Sequence, residues 1–434
     1  MVRTEVKRDD NNFGPAFGFA WSPARASGWT GKLFGEGKTV WRGGYQISYD
    51  ALFTQIISLQ LVQSPPNAIN TIFTAQNTGR GAANLSTLLP TQSRAPSLTD
   101  AQPGGVERDL SSPYTERWSL GFQRLLPGTV LLDVSYVGTV SHKLATKADV
   151  NPRLLNGVRL YPEFGQRSLR TSQGNSSYHA LQAQMNRRFA SGFMLNASYT
   201  WSRMIDSTSE GVGVGSDQSS YNSSIPVLQG GLKLDRGPSD YDRSHRLTLV
   251  WLWTVPALKT GFGKHLLGGW SLAGVGTFQS GAPFTATNGF DRNNDGFNAD
   301  RPDIGNPAAP LHTRGLVNAR CATGYQNPDT AACVAPADVH WIQGTGLPNA
   351  STVGRNTLLA GGVNNFDLNL SRSFLLGERT RIEFRWEARN ALNHQQYSNV
   401  PQRNLSDTVP GRFMNRDFTD SGIRIMFAQI KLVF

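Results

Sequence analysis

SYHALQAQMNRRFASGFMLNASYTWSR, residues 177–203, decides the fold. Its first half places Leu181, Ala183 and Met185 on one side of an extended chain and Gln182, Gln184 and Asn186 on the other. Its second half sets Phe193, Leu195, Ala197, Tyr199 and Trp201 against Asn196, Ser198, Thr200 and Ser202. Side chains of a strand alternate between faces, so this period of two reads as a β-hairpin that turns at 190–192.

The period recurs along the chain. Phe13, Phe17, Phe19 and Trp21 oppose Gly14, Gly18 and Ser22; Trp41, Tyr45, Ile47 and Tyr49 oppose Arg42, Gln46 and Ser48. Trp118, Leu120 and Phe122 oppose Arg117, Ser119 and Gln123, and Val130, Leu132, Val134 and Tyr136 oppose Asp133 and Ser135. Near the end, Phe366, Leu368 and Leu370 oppose Asp367, Asn369 and Ser371, and Ile382, Phe384 and Trp386 oppose Glu383, Arg385, Glu387 and Arg389. The spacing predicts eleven main strands, at 13–22, 38–49, 115–125, 129–142, 176–189, 193–206, 244–255, 269–280, 363–374, 380–392 and 422–434.

A soluble β-sandwich also alternates, but its strands average about 5–6 residues, and these are roughly twice as long. Connection lengths separate the two further. They alternate between short (23–37, 126–128, 190–192, 256–268, 375–379) and long (50–114, 143–175, 207–243, 281–362, 393–421). Outer-membrane barrels have short periplasmic turns and long extracellular loops, whereas a sandwich has no reason to gather its long loops at one end.

Composition agrees. The 434 residues are 38% hydrophobic and 17% charged, below the ~25% charged of soluble domains. With 45 Gly, 23 Pro and no apolar run long enough for a membrane helix, a helical membrane protein is excluded. The expected fold is an all-β, antiparallel transmembrane β-barrel, partial because eleven is odd and a complete bacterial barrel has an even strand number.

Several stretches carry a resemblance. FGPAFGFAWSP (13–23) with GKTVWRGGYQISYD (37–50), PYTERWSLGFQRLLPGTVLLDVSYVGT (113–139) and the 177–203 hairpin resemble the barrel of TonB-dependent outer-membrane receptors of the Oar-like kind, common in Acidobacteria. So do DYDRSHRLTLVWLW (240–253), WSLAGVGTFQSGAPFT (270–285), RIEFRWEARNALNHQQY (381–397) and the terminal IKLVF. The resemblance implies a barrel of about 22 strands around a plug, importing scarce nutrients with energy relayed by TonB. Eleven strands would be half of it. No plug, TonB box or signal peptide is read at the start of the chain, so residues 1–434 are expected to be the C-terminal portion of such a barrel. TonB would then be reached only through the missing N-terminal part, and the chain would be inactive in transport alone. A passive porin-like channel and a surface structural or adhesive protein remain the alternatives.

Candidate sites follow. Asp291, Asn293 and Asp295 with Gly296 match the D-x-N-x-D-G opening of a calcium loop, with oxygen ligands at alternate positions. The closing acid is absent, since Pro302 stands there, although Asp300 or Asp303 could replace it; the other reading is a solvated polar turn. Calcium in the 281–362 loop is the one cofactor considered, and none is required. Cys321 and Cys333, in the same loop, are expected to form a disulfide in an oxidising exterior. Glu383, Arg385, Glu387 and Arg389 are read as a charge ladder pairing with neighbouring strands. Trp118, Tyr136, Tyr199, Trp201, Trp251, Trp253, Trp270 and Trp386 are read as interfacial girdles. Phe434, Leu432 and Ile430, in phase on the last strand, resemble the signal read by the outer-membrane barrel assembly machinery.

The seven histidines form no metal motif, 211–215 lacks dinucleotide-loop spacing, and no nucleophile constellation is seen, so no enzyme is expected. The net charge of +11 is dispersed rather than clustered, which argues against nucleic acid. It suits outer-membrane lipid and lipopolysaccharide instead.

Overall fold

The computed structural model describes residues 7, 9–23, 28, 31, 37–50, 104–154, 157–165, 167–209, 231–233, 235–256, 268–293, 300–347, 349–376, 379–396, 400–415 and 423–434. Among them run eleven main strands: β1 (Ala16–Trp21), β2 (Thr39–Tyr49), β3 (Tyr114–Leu126), β4 (Val130–Asp149), β5 (Ser168–Ala190), β6 (Phe193–Asp206), β7 (His245–Thr254), β8 (Trp270–Gln279), β9 (Val363–Leu375), β10 (Arg381–Arg389) and β11 (Ile425–Val433). Each pairs antiparallel with the next in chain order. An odd number of alternating strands makes β1 and β11 run in the same direction. They stand at opposite ends of the sheet and are not paired with each other among the described residues.

The register keeps the two faces separate across the sheet. Gln123, Asp133, Gln184, Ser198, Thr248, Thr277 and Asn365 pair in succession into one polar row. The adjacent row, on the opposite face, runs through Trp21, Trp41, Phe122, Val134, Ala183, Tyr199, Leu247 and Phe278. A one-residue slip anywhere would have mixed the two rows. Apolar side chains stay exposed on their face, Phe17 at 69%, Leu120 at 53% and Ile430 at 73%. Contiguous exposed apolar surface of this kind belongs against lipid.

Two strands are longer than their spacing in sequence predicts. β4 has 20 residues and β5 has 23, where a crossing needs about 9–11. Residues 143–149 and 168–175 of the segment expected as a 143–175 loop therefore continue this hairpin beyond the membrane. The ladder slips between Ser141 and Leu144, where Lys143 adopts φ 57°, a bulge at the point where the strand leaves the wall. At the tip Asn151 is fully buried, and its amide donates to the carbonyls of Tyr161, Phe164 and Gly165. Residues 104–106 add a parallel strand beside 168–170, an element with no signal in the sequence.

The buried core is not in the wall. Ala286, Trp341, Val353, Leu405 and Phe413 form a cluster contributed by the long 281–362 and 393–421 connections, with Ile304, Leu316, Leu358 and Met414 packed around it. These connections are expected as loops, but they fold into a cap built on short strands. Pro283–Phe284 pairs with Leu358–Leu359, and Asp303–Ile304 with Trp341–Ile342. Arg314–Val317 lies parallel to Trp341–Ile342 and antiparallel to Tyr325–Gln326.

Candidate functional site

The cap sits at the end of the sheet opposite the tight turns at Gly128 and Gly192, both at positive φ. Buried arginines hold it there. Arg355 donates to the Asp206 carboxylate at 2.6 Å and to its carbonyl at 3.1 Å, and also to the carbonyl of Asp235 and the hydroxyl of Ser209. Asp206 is the last residue of β6, so this contact ties the cap to a membrane strand. Arg301 pairs with Asp235 at 2.8 Å. Burial pushes the Arg301 guanidinium below its ordinary pKa; Asp235 works against that shift and Arg355 adds to it. Asn356 completes the joint, its amide donating to Asp240 at 2.5 Å while its oxygen accepts from Thr285.

Arg314 performs the same task within the cap. It is fully buried, donates to the Leu405 carbonyl at 2.6 Å, pairs with Asp329 at 2.8 Å and lies 4.8 Å from the centre of the Phe413 ring. One guanidinium thus joins the 281–362 segment to 400–415. Cys321 and Cys333 are joined by a disulfide with Cα atoms 5.5 Å apart, fixing the turn beside Asp329. Breaking such a buried pair by removing one partner costs about 3–5 kcal/mol, because an uncompensated charge is left behind.

The calcium candidates divide. Asp295 lies outside the described residues. Asp300 is buried, and its Oδ2 accepts the backbone N–H groups of Arg292 at 2.5 Å and Asn293 at 3.1 Å. The amide of Asn293 donates to the carbonyl of Gly346. Asp300 and Asn293 thus organise the turn through hydrogen bonds, and among the described residues no group of three His, Cys, Asp or Glu is placed to hold a metal.

A cleft of about 340 Å³ lies across β1 to β4, with Phe17, Tyr45 and Trp118 of the apolar row among its lining residues. Ala16, Gln46 and Arg117 line it from one row, and Gly44, Ser119 and Val137 from the next. Small residues open the space and Arg117 supplies a cation. Along β10 the charge ladder pairs differently from expectation. Arg381 bonds Glu383 at 2.7 Å and Arg385 bonds Glu387 at 2.5 Å, two residues apart on the same strand. Across the sheet, Asn369 donates to Glu387, Arg389 lies over Phe427, and Glu383 stands opposite Lys431. The contact with Arg389 sets Phe427 against a cation on a face it shares with Ile425, Gln429, Lys431 and Val433. On the other side Met426, Ala428, Ile430 and Leu432 share the outward face with Trp386, Phe384 and Ile382.

The girdle aromatics fall into two groups. Trp118, Tyr136, Tyr199 and Trp201 lie toward the cap, two of them bound to histidines: Tyr136 to His179 at 2.7 Å and Tyr199 to His245 at 2.8 Å. Trp270 lies by the opposite turns, edge-on to Phe374 and Phe384; Trp253 and Trp386 stand in the next row, joined through Leu272 and Leu370, and Trp251 in the row after it, opposite Gly274.

The family model for "Outer membrane beta barrel domain" matches residues 2–426. The chain belongs to that family. Its strands therefore cross the outer membrane, the short turns facing the periplasm and the cap lying outside. No curated protein matches the sequence. Among solved structures, the chain is similar to the outer membrane transporter YddB from Escherichia coli, at 11% identity and a TM-score of 0.43, over 97% of this chain and 40% of that one. It is similar to the FrpB iron transporter from Neisseria meningitidis at 9% identity and a TM-score of 0.40, over 97% and 39%. The ferripyoverdine receptor of Pseudomonas aeruginosa gives 9% and 0.40, over 91% and 31%. The outer-membrane chain thus spans well under half the length of these structures.

Sequence reasoning missed the cap and its arginines. The signal available was modest: Trp341 within the short apolar run Val339–Ile342, and Arg314 beside Gly315-Leu316-Val317, in a segment otherwise rich in turn residues.

Proposed function

We propose that this chain supplies wall strands and an extracellular cap to a nutrient importer of the TonB-dependent kind. The observation that carries the reading is that, among the described residues, eleven main strands form one sheet whose first and last strands run in the same direction and are not paired with each other. An unpaired strand edge is not tolerated in lipid, and a bacterial single-chain barrel has an even strand number. β1 and β11 therefore meet further strands, and eleven more give the size of barrel that surrounds a plug. In this reading the plug and the contact with TonB belong to that remainder. The polar rows and the Arg117 cleft line the path, and the cap closes its outer mouth and selects what enters. Phe434, Leu432 and Ile430 present the last strand to the barrel assembly machinery.

Planar-bilayer recording of the purified chain tests this. The reading expects no steady single-channel conductance from these strands alone. A reproducible, discrete open conductance would instead favour a self-closing passive pore.

A further inference from the structure

On the outward face, toward the cap, one arrangement occurs twice. His179 on β5 has its Nδ1 2.7 Å from the Tyr136 hydroxyl, with the two rings stacked 6.2 Å apart. His245 on β7 has its Nδ1 2.8 Å from the Tyr199 hydroxyl, again with rings stacked at 6.2 Å. Trp118 lies 5.9 Å from the His179 ring, and Trp201 is paired directly with His245. Between the histidines, on β6, Arg203 is paired directly with His179, and its side chain is 54% exposed.

These groups lie on three adjacent strands; two strand spacings and a two-residue offset in register separate the histidines by roughly 12 Å. With each tyrosine hydroxyl donating to Nδ1, the proton of the imidazole is carried on Nε2, a donor left for an external acceptor. Arg203 is oriented by the buried Asp242 at 3.1 Å and keeps further N–H groups for the same side. Leu120 and Leu181 stand in the row of Tyr136, Trp201 and His245, and nearer the turns the face is apolar, with Phe122, Val134, Ala183 and exposed Met185. Trp201 stands about nine tilted residues above the turn at Gly192, a rise of roughly 25 Å, which is the height of a barrel's lipid belt. The other charged groups near this level are Lys143, over the Tyr114 ring, Arg243, bonded to backbone carbonyls, and Glu116, held by the Tyr45 hydroxyl at 2.9 Å.

We propose that His179, Arg203 and His245, framed by Trp118, Tyr136, Tyr199 and Trp201, bind the phosphate of an outer-leaflet glycolipid, the phosphorylated glucosamine headgroup of lipid A. Hydrogen-bond donors of two imidazoles and one guanidinium meet a phosphomonoester at the height where that leaflet carries it, while the apolar band below receives the acyl chains. The assignment rests on the outer-membrane placement of the strands and not on the import reading.

The test is native mass spectrometry of the full chain in zwitterionic bicelles doped with lipid A. The unmodified chain should retain lipid A and lose at least tenfold with His179→Gln, Arg203→Gln and His245→Gln combined. Arg246→Gln, on the polar face, should retain it fully. Tyr136→Phe and Tyr199→Phe together, which keep the aromatic packing, should lose severalfold by releasing the imidazoles. Lipid A stripped of phosphate should bind no better than the zwitterionic lipid, and millimolar inorganic phosphate should not displace the intact form. Equal retention by the triple variant or by stripped lipid A overturns the proposal. Displacement by inorganic phosphate alone overturns the lipid source in favour of a free anion.

Discussion

The indole of Trp118 lies on the backbone of Gly138, its direct partner across the β3–β4 ladder: a Cβ added to Gly138 would fall 2.1 Å from the ring. Trp251 covers Gly274 in the same way, with 2.6 Å left for a Cβ. Aromatic rings laid over cross-strand glycines bury backbone that would otherwise be bare. Gly138→Ala is expected to displace the indole and cost about 1–3 kcal/mol, as overpacking does. Urea titration of the folded, heat-modifiable form, read by tryptophan fluorescence, checks this. Gly105→Ala, whose Cβ meets only Leu169 at 3.4 Å, should leave the midpoint unchanged.

Arg355→Met should loosen the cap without unpairing the wall. The variant leaves Asp206 buried and unpaired, a cost of about 3–5 kcal/mol. Limited proteolysis should open the 300–347 segment while the heat-modifiable band persists. The double variant with Asp206→Asn should be less sensitive than the sum of the two single ones, since both remove the same pair.

Reduction should affect one part of the cap. The disulfide closes a short loop and contributes about 3 kcal/mol. Reducing agent should add two hydrogens to the linked peptides of Cys321 and Cys333 and expose the 318–334 turn to protease. An unchanged mass in the denatured, unreduced protein after thiol alkylation confirms that the two thiols are joined; uptake of two alkyl groups contradicts it.

The segment Asp291–Asn293 separates two accounts of its order. Asp300 already accepts the N–H groups of Arg292 and Asn293, so Asp300→Ala should make the segment protease-sensitive in calcium and in chelator alike. Calcium held by Asp291, Asn293 and Asp295 predicts that chelator alone makes the unmodified segment equally sensitive.

The strands were legible because alternation is a property of local sequence. Phe193 to Trp201 reads the same way in the chain and in the sheet. The ends of β4 and β5 were not legible. Beyond Val140 the hairpin leaves the lipid, so the apolar face that marks a strand is lost while the hydrogen-bond ladder continues. The cap was hidden for a different reason: its core joins Trp341 to Leu405 and Phe413 across long sequence separations, and Arg314 and Arg355 look like ordinary surface cations until their partners are placed. The ladder on β10 shows a third limit. Alternating signs identify which charges share a face, but not whether Arg385 reaches across the sheet or along its own strand to Glu387.

The most direct test is a nitroxide scan of β6, one label at a time from Leu195 to Thr200, in the full chain reconstituted into a lipid bilayer. Oxygen, which concentrates in lipid, should broaden the signal at Leu195, Ala197 and Tyr199. A water-soluble nickel chelate should reach Asn196, Ser198 and Thr200, giving two accessibility profiles of period two and opposite phase. Profiles without alternation, or both sets of positions equally open to the nickel chelate, would contradict a strand that crosses the membrane with one face to lipid and one to the polar interior.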